Sequence, residues 1–283
     1  MSIHYAKYAN KVSRVEYIGK KQRDDCVKTI EIGDGQGDKE LVFILFSPDG
    51  TELLSCSEQG VVCIWDTTSG ELIVGPLDNK TKILSAAYLP GGRDIIVATK
   101  DGVIRKWDIA TSRLVWEKAM GERRIHPSDW LKSAVFSPKT NLVVFGDDQG
   151  EIQIWNVETG GQDGEPLKGH TGTVTCLSFS PNGRYLVSGS SDTTVIVWNM
   201  RSREIKTGPL RGHDWGVMTV LFLPNGNDVI SGSKDCRMCC WNVSTGKTSN
   251  KLVCKGQVKS ATCSANGSLI LAGVSGYVGW ERR

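Results

Sequence analysis

Two sets of four side chains recur in the sequence at identical spacing. In each set a His lies 22 residues before an Asp, a Ser lies 4 before it, and a Trp follows 6 after it. A Ser, a His and an Asp in contact form a nucleophilic centre in many hydrolases, but such a centre needs one set in an open cleft. Two copies at a fixed offset predict a repeated structural role, in which the four side chains form a hydrogen-bonded tetrad. The two predicted structural tetrads are His170, Ser188, Asp192 and Trp198, and His213, Ser231, Asp235 and Trp241.

Two further motifs contain residue types that bind metals or phosphates. Cys236, Cys239 and Cys240 form a C-x-x-C-C pattern, but a zinc site needs four ligands and usually two such pairs. We therefore interpret these thiols as small buried hydrophobic side chains. The glycine-rich stretch 33–38 follows a predicted strand, but it precedes another strand where a phosphate site would need a helix. The sequence thus predicts no catalytic residue, no metal and no cofactor, and the chain is not expected to be an enzyme.

The tetrads belong to an internal repeat of about 43 residues. Six Trp each end a short apolar run and precede an acidic or amide residue, and they are spaced by 42, 48, 43, 43 and 39 residues. Within each period, runs rich in β-branched residues are separated by turns such as Ser180-Pro-Asn-Gly, which predicts four strands. No long segment has helical periodicity. The six tryptophans are Trp65, Trp107, Trp155, Trp198, Trp241 and Trp280.

These units resemble the WD40-repeat family, through the Gly-His pairs at 169–170 and 212–213 and the Trp-Asp or Trp-Asn pairs. In style the repeats are similar to those of fungal NACHT-WD sensor proteins. The resemblance implies an all-β WD40 β-propeller, made of four-stranded antiparallel blades, as a single domain over 1–283. The six WD units are expected at 41–77, 83–119, 131–168, 174–210, 217–253 and 258–281.

The sequence is compatible with two different numbers of blades. In one, residues 3–32 form a degenerate N-terminal seventh blade that lacks its first strand. In the other, residues 27–32 complete the sixth unit, which gives six blades and a basic N-terminal arm. We favour seven blades, which leaves an unclosed seam where a sheet edge could pair with another chain.

The composition excludes several classes of partner. The net charge is +3, from 34 basic and 31 acidic side chains, so no large basic field predicts nucleic-acid binding. No apolar run reaches the roughly 18 residues of a membrane span, and the first residues contain no signal-peptide core. The nine Cys are an odd number in mostly apolar runs, which is typical of reduced thiols. We expect a cytoplasmic or nuclear protein.

Loops on one rim of the predicted blades contain the residues that we expect to bind a partner. Trp130 ends an insertion in the long period and Trp215 follows a tetrad His by two residues; Trp and Arg are favoured interface anchors. The sequence leaves open whether the two Trp instead pack against neighbouring blades. The candidate partner-binding residues are Trp130, Trp215, Lys100, Arg123, Arg124, His126, Lys234, Glu58 and Ser191.

The sequence therefore predicts a non-catalytic scaffold or adaptor that recognises a protein or peptide on the top face of the propeller. A second interpretation is a ligand- or glycan-sensing module, lectin-like or the sensor half of an immune-type receptor, because propeller rims form concave sites.

Overall fold

The computed structural model describes residues 2–9, 12–18, 27–32, 41–47, 49–89, 92–119, 131–263, 267 and 270–275. Within these ranges the chain forms 26 strands in seven sheets and contains no helix. Two compact units contain the sheets, Met1–Glu122 and Arg123–Arg283. The described part of the chain is therefore all-β, and each pairing between neighbouring strands is antiparallel, as the repeat predicts.

The first unit begins with a three-stranded sheet in the order β1-β2-β3. Ala9 pairs with Val12 across the first hairpin, and Ser13 pairs with Ile32. Residues 27–32 are thus hydrogen-bonded to the preceding hairpin, as the seven-blade alternative expects. The strands are β1 (Ser2–Ala9), β2 (Val12–Ile18) and β3 (Val27–Ile32).

Two four-stranded sheets follow in the first unit, each with its strands in chain order. Their facing sides share one apolar cluster that includes Leu54, Ile64, Ile83 and Val97. The first sheet contains β4 (Leu41–Phe46), β5 (Glu52–Ser57), β6 (Val61–Asp66) and β7 (Leu72–Asp78), and the second contains β8 (Ile83–Tyr88), β9 (Asp94–Thr99), β10 (Val103–Asp108) and β11 (Arg113–Ala119).

The second unit contains three large sheets and one two-stranded sheet. The fourth strand of the first sheet is split into two short strands around Asp163, where the sequence predicts one strand. The sheets contain β12 (Leu131–Phe136), β13 (Leu142–Asp147), β14 (Glu151–Asn156), β15 (Gly161–Gln162) and β16 (Leu167–Lys168); β17 (Val174–Phe179), β18 (Tyr185–Ser190), β19 (Val195–Asn199) and β20 (Glu204–Leu210); β21 (Val217–Phe222), β22 (Asp228–Ser233), β23 (Arg237–Asn242) and β24 (Thr248–Val253); and β25 (Gln257–Cys263) and β26 (Ile270–Ser275).

Glycines on the second strands allow successive sheets of the second unit to approach closely. A Cβ at Gly189 of β18 would lie 2.5 Å from Val217 of β21, and one at Gly146 of β13 would lie as close to Val174 of β17. The hydroxyl of Thr175 donates to the carbonyl oxygen of Val217 at 2.5 Å, so polar bonds also connect neighbouring sheets. Glycines without side chains and this cross-sheet bond together bring the first strand of each sheet close to the preceding sheet.

Candidate functional site

The first tetrad joins three parts of the β17–β20 sheet. His170 lies in the connection before β17, Ser188 on β18, Asp192 in the β18–β19 turn and Trp198 on β19. The indole Nε1 of Trp198 donates to Ser188 Oγ at 2.8 Å, and Ser188 Oγ lies 2.8 Å from His170 Nε2. His170 Nδ1 lies 3.0 Å from Asp192 Oδ2. The four side chains therefore form one continuous hydrogen-bonded chain across the sheet.

The second tetrad has the same geometry in the β21–β24 sheet. Trp241 Nε1 donates to Ser231 Oγ at 2.8 Å, and Ser231 Oγ lies 2.7 Å from His213 Nε2. His213 Nδ1 lies 3.0 Å from Asp235 Oδ2. The structure thus brings together all eight side chains that the sequence places in tetrads, in two groups of four.

The direction of these bonds follows from the chemistry of the groups. An ionised carboxylate only accepts, so Nδ1 of His170 donates to Asp192 and Nε2 accepts from the Ser188 hydroxyl. Burial lowers the pKa of His170, although Asp192 opposes this shift, and the ring is therefore neutral at pH 7. Burial raises the pKa of Asp192, but hydrogen bonds from Thr194 and from the backbone of Thr171 outweigh it, and the net pKa lies below its usual value.

Further donors complete the tetrads, and the sequence analysis missed them. Thr194 Oγ1 lies 2.7 Å from Asp192 Oδ1 and 3.1 Å from His170 Nδ1. The backbone nitrogen of Thr171 donates to Asp192, and that of Asp214 donates to Asp235 at 3.0 Å. Thr194 lies two residues after the tetrad Asp, in the turn. A Thr in a turn commonly makes local hydrogen bonds, so the sequence could have indicated this contact.

The tetrads contain the same polar groups as a catalytic triad, but these groups are not accessible to a substrate. Ser188 and the His170 side chain are fully buried, and Ser231 and the His213 side chain are as well. Each Ser oxygen also accepts the indole N–H, so one lone pair is occupied. A nucleophile must reach the reacting carbon of a substrate. In this arrangement the Ser side chains stabilise the connection before each first strand.

The first unit contains two partial versions of the tetrad. In the β4–β7 sheet, Trp65 Nε1 donates to Ser55 Oγ at 2.8 Å, while exposed Gln59 stands at the Asp position. In the β8–β11 sheet Val97 stands at the Ser position, and Trp107 Nε1 donates instead to Asn79 Oδ1 at 3.1 Å. Asn79 is fully buried and lies 22 residues before Asp101, at the His position. The tetrad offset could have identified it.

The described residues of the β12–β16 sheet do not form this polar connection. Phe145 stands at the Ser position, and the buried Nε1 of Trp155 has no hydrogen-bond partner among the described residues. Buried Asp147 ends the second strand instead, and its Oδ1 accepts from the backbone nitrogens of Gln149 at 3.0 Å and Glu151 at 2.8 Å. Burial raises the pKa of Asp147 more than these bonds lower it.

Trp215, Ser191 and Lys234 lie together on one rim of the second unit. A methyl group at Gly216 would lie 3.3 Å from the Cα of Ser191, and the backbone nitrogen of Lys234 donates to the Gly216 carbonyl at 3.1 Å. Trp215 is 59% exposed, whereas the tetrad residues Trp198 and Trp241 are buried. We call Ser191, Trp215 and Lys234 the Trp215 rim.

The remaining candidate residues are not part of this group. In the first unit, Glu58 Oε1 lies 3.0 Å from Lys82 Nζ on the surface. Lys100 is half-buried, and its backbone nitrogen donates to the Lys82 carbonyl at 2.8 Å. Four candidates, Arg123, Arg124, His126 and Trp130, lie outside the described residues.

Among the described residues, the cysteines do not form a metal site. Cys239 is fully buried, and Cys236 and Cys240 are half-buried. Across the described residues, no three His, Cys, Asp or Glu side chains are arranged to hold a metal ion. Residues 33–38 lie outside the described residues. The described part of the chain also contains no helix with the length and apolarity of a membrane span.

Comparison with known proteins identifies the repeat. The model of the family "WD domain, G-beta repeat" matches residues 25–66, 161–199 and 203–242. The latter two matches begin on or just before the last strand of one sheet and end on the Trp-containing third strand of the next. A search of curated protein sequences found no match. WD40 repeats generally mediate protein–protein interactions and are typically not enzymatic. The chain therefore carries repeats of the WD40 type at three positions.

Proposed function

We propose that the chain is a non-catalytic interaction scaffold or adaptor that recognises a peptide or protein partner through the Trp215 rim. The observation that carries the proposal is the 59% exposure of the Trp215 side chain. Trp is highly buried on average, and exposing its ring to water is unfavourable. A partner that covers the ring would recover this free energy, and Trp is a preferred anchor at interfaces.

The loop that carries Trp215 is fixed on both sides. The hydroxyl of Ser233 donates to the carbonyl oxygens of Trp215 at 2.8 Å and of Gly216 at 3.0 Å. Two residues before Trp215, His213 belongs to the second tetrad. Because the backbone is already ordered, binding would immobilise little more than the indole side chain. The entropic cost of association is then small, which favours this loop as an anchor.

Charges beside the ring indicate the chemistry of the partner. Lys234 is exposed next to the loop, and Arg237 Nη1 forms a 2.7 Å ion pair with the exposed Asp214 carboxylate. The ion pair is neutral overall, and Lys234 is the exposed cationic side chain of the Trp215 rim. We expect the partner segment to place an apolar side chain on the ring and a carboxylate near Lys234.

The other candidate residues extend the proposal. Arg123, Arg124, His126 and Trp130 would add a basic sector with a second aromatic anchor in the second unit. Glu58 and Lys100 occupy the Ser191 and Lys234 position in sheets of the first unit, and we propose that they also contact partners. Seven sheets in chain order support a seven-bladed β-propeller as one domain, in which a sheet edge at the seam could self-associate. We further propose a cytoplasmic or nuclear location, with neither nucleic acid nor membrane as a partner.

The test is affinity capture from native lysate with a photo-crosslinking residue at position 191. Wild-type protein should crosslink a specific protein, and Trp215→Ala should lose it while its circular dichroism and melting temperature stay unchanged. Val115→Ala truncates another exposed apolar side chain, far along the chain on β11, and should retain the partner. Capture that survives Trp215→Ala would contradict the proposal, and a glycan or small molecule that alone protects the ring would favour a sensing module.

A further inference from the structure

Two cysteines lie opposite each other at the end of the β23–β24 hairpin. Arg237 pairs with Val253 in the antiparallel register, so the next step of the ladder pairs Cys236 with Cys254. The backbone nitrogen of Cys254 donates to the carbonyl oxygen of Cys236 at 2.7 Å, which fixes this pairing. Both thiols are free and half-buried. Neither residue belongs to a tetrad or to the Trp215 rim.

The backbone at this position brings two side chains close together. Hydrogen-bonded residues directly opposite each other on antiparallel strands have Cα atoms about 5.5 Å apart, within the range of about 4.4–6.8 Å that a disulfide needs. The same turn position in the β12–β16 sheet is Gly150, where a Cβ would lie 2.7 Å from the carbonyl oxygen of His170, in the connection after the fourth strand. A Cβ at this turn position of the β12–β16 sheet thus points toward the connection after the fourth strand, and in the β21–β24 sheet that connection begins at Cys254.

The pair is distinct from the other cysteines that the structure describes. The equivalent pair in the β4–β7 sheet is Gly60 and Asn79, joined by the same backbone bond at 2.9 Å, so the geometry recurs without the thiols. Cys239 is fully buried, and its strand neighbour Cys240 points to the opposite face. Cys236 and Cys254 thus combine partial accessibility with a directly opposed partner.

We propose that Cys236 and Cys254 form a reversible intramolecular disulfide when a peroxide oxidises the protein. The thiolate of one cysteine attacks the peroxide O–O bond and becomes a sulfenic acid, with water or an alcohol as the leaving product. The second thiol then attacks the sulfenic sulfur, forms the S–S bond and releases water. For hydrogen peroxide, two thiols are oxidised and one peroxide is reduced to two waters.

The order of attack follows from the surroundings of the two thiols. Burial and the neighbouring Cys236 both raise the pKa of Cys254, so its thiolate is disfavoured. Cys254 is therefore the less suited of the two to attack the peroxide, and we assign it as the resolving thiol. The proposal does not depend on the proposed function.

Trypsin separates the two cysteines from all the others, which makes the test specific. Cleavage after Lys234 and Arg237 releases 235–237 with Cys236 alone, and cleavage after Lys251 and Lys255 releases 252–255 with Cys254 alone. Reduced full-length protein is treated with hydrogen peroxide, blocked with an alkylating agent, digested and analysed by mass spectrometry. We expect the alkylated forms of both peptides to fall together, a crosslinked 235–237/252–255 species to appear, and a dithiol to reverse both changes.

Single-cysteine variants provide the controls. Cys236→Ser and Cys254→Ser should each abolish the crosslinked species, and in Cys254→Ser the sulfenic acid at Cys236 should accumulate and react with dimedone. Cys263→Ser, which removes another half-buried thiol from β25, should leave the crosslink intact. The proposal is overturned if both peptides remain fully alkylated while other cysteines oxidise, or if 235–237 is joined instead to 238–247, which contains Cys239 and Cys240.

Discussion

The β17–β20 and β12–β16 sheets of the second unit share a strand order but differ at the Trp of their third strand. Trp198 donates to Ser188, which connects through His170 to Asp192. Trp155 is also buried, yet Phe145 stands at the position of Ser188 and supplies no hydroxyl. Both sheets form the same three-stranded core. Apolar packing therefore suffices to build the sheet, and the polar chain serves to fasten the connection before the first strand.

The turn after the second strand is stabilised in different ways in the two sheets. In the β12–β16 sheet Asp147 satisfies two backbone nitrogens of its own turn. In the β17–β20 sheet Ser190 occupies the same position, and Asp192 bonds across to the His170 connection. A local carboxylate thus stabilises a turn, whereas the tetrad Asp connects the turn to a distant segment of chain.

The largest effect should come from removing the tetrad carboxylate. Asp192→Ala leaves the His170 ring and the backbone nitrogens of Thr171 and Thr194 without their acceptor, and should cost about 3 kcal/mol of unfolding free energy. Gln149→Ala, at the same position of the β12–β16 sheet, should cost less than about 0.5 kcal/mol because its side chain is exposed. Urea unfolding measures both, and equal losses would mean that the tetrad adds no stability.

The next effect tests the substitute acceptor in the β8–β11 sheet. Asn79→Ala removes the acceptor of Trp107 Nε1 and the donor to the Gly60 carbonyl, so we expect a loss of about 2 kcal/mol. Exposed Asn141, which donates to Glu158, gives the matched control Asn141→Ala with little change. Thermal melts of the two variants measure the difference. Similar melting temperatures would mean that Asn79 does not stabilise the fold.

A paired substitution isolates the indole N–H itself. Trp198→Phe loses a hydrogen bond and leaves Ser188 without its donor, whereas Trp155→Phe removes an N–H that has no partner among the described residues. Both lose similar apolar area, so Trp155→Phe should be less destabilising by about 1 kcal/mol. Chemical unfolding of the two variants provides the comparison. A larger cost for Trp155→Phe would contradict the proposed role of the tetrad bond.

The smallest effect is expected from mild acid. The pKa of His170 is lowered in the folded state from 6.5, so the unfolded chain binds this proton more readily. The contribution of His170 is complete above pH 6.5 and declines as the pH falls below it. A further loss should follow below about pH 4, where Asp192 and Asp235, with lowered pKa values, are protonated in the unfolded chain. His170→Gln should flatten the first loss, measured by unfolding between pH 7.5 and 5.5.

The repeat spacing predicted much of the fold but not every substitution within it. Offsets from Asp192 and Asp235 identified both tetrads because a buried His, Ser and Asp each require partners. Asn79 was not predicted because it is not a His, although it lies at the His offset of 22 residues before Asp101. The exposure of Trp215 depends on how the β20–β21 loop lies against Ser191, a tertiary contact without a local pattern. The split of the fourth strand into β15 and β16 lies in a stretch that contains glycines, and glycine adopts backbone conformations that a sequence pattern does not specify.

One measurement separates stabilisation by the tetrads from recognition by the Trp215 rim. Ser188→Ala and Trp215→Ala are compared with wild type for melting temperature and for capture of the crosslinked partner, at a temperature where all three are folded. Ser188→Ala should lower the melting temperature and capture the partner normally, whereas Trp215→Ala should melt like wild type and capture nothing. Loss of capture in Ser188→Ala with an unchanged melting temperature would contradict this separation, because function would then reside in the tetrad.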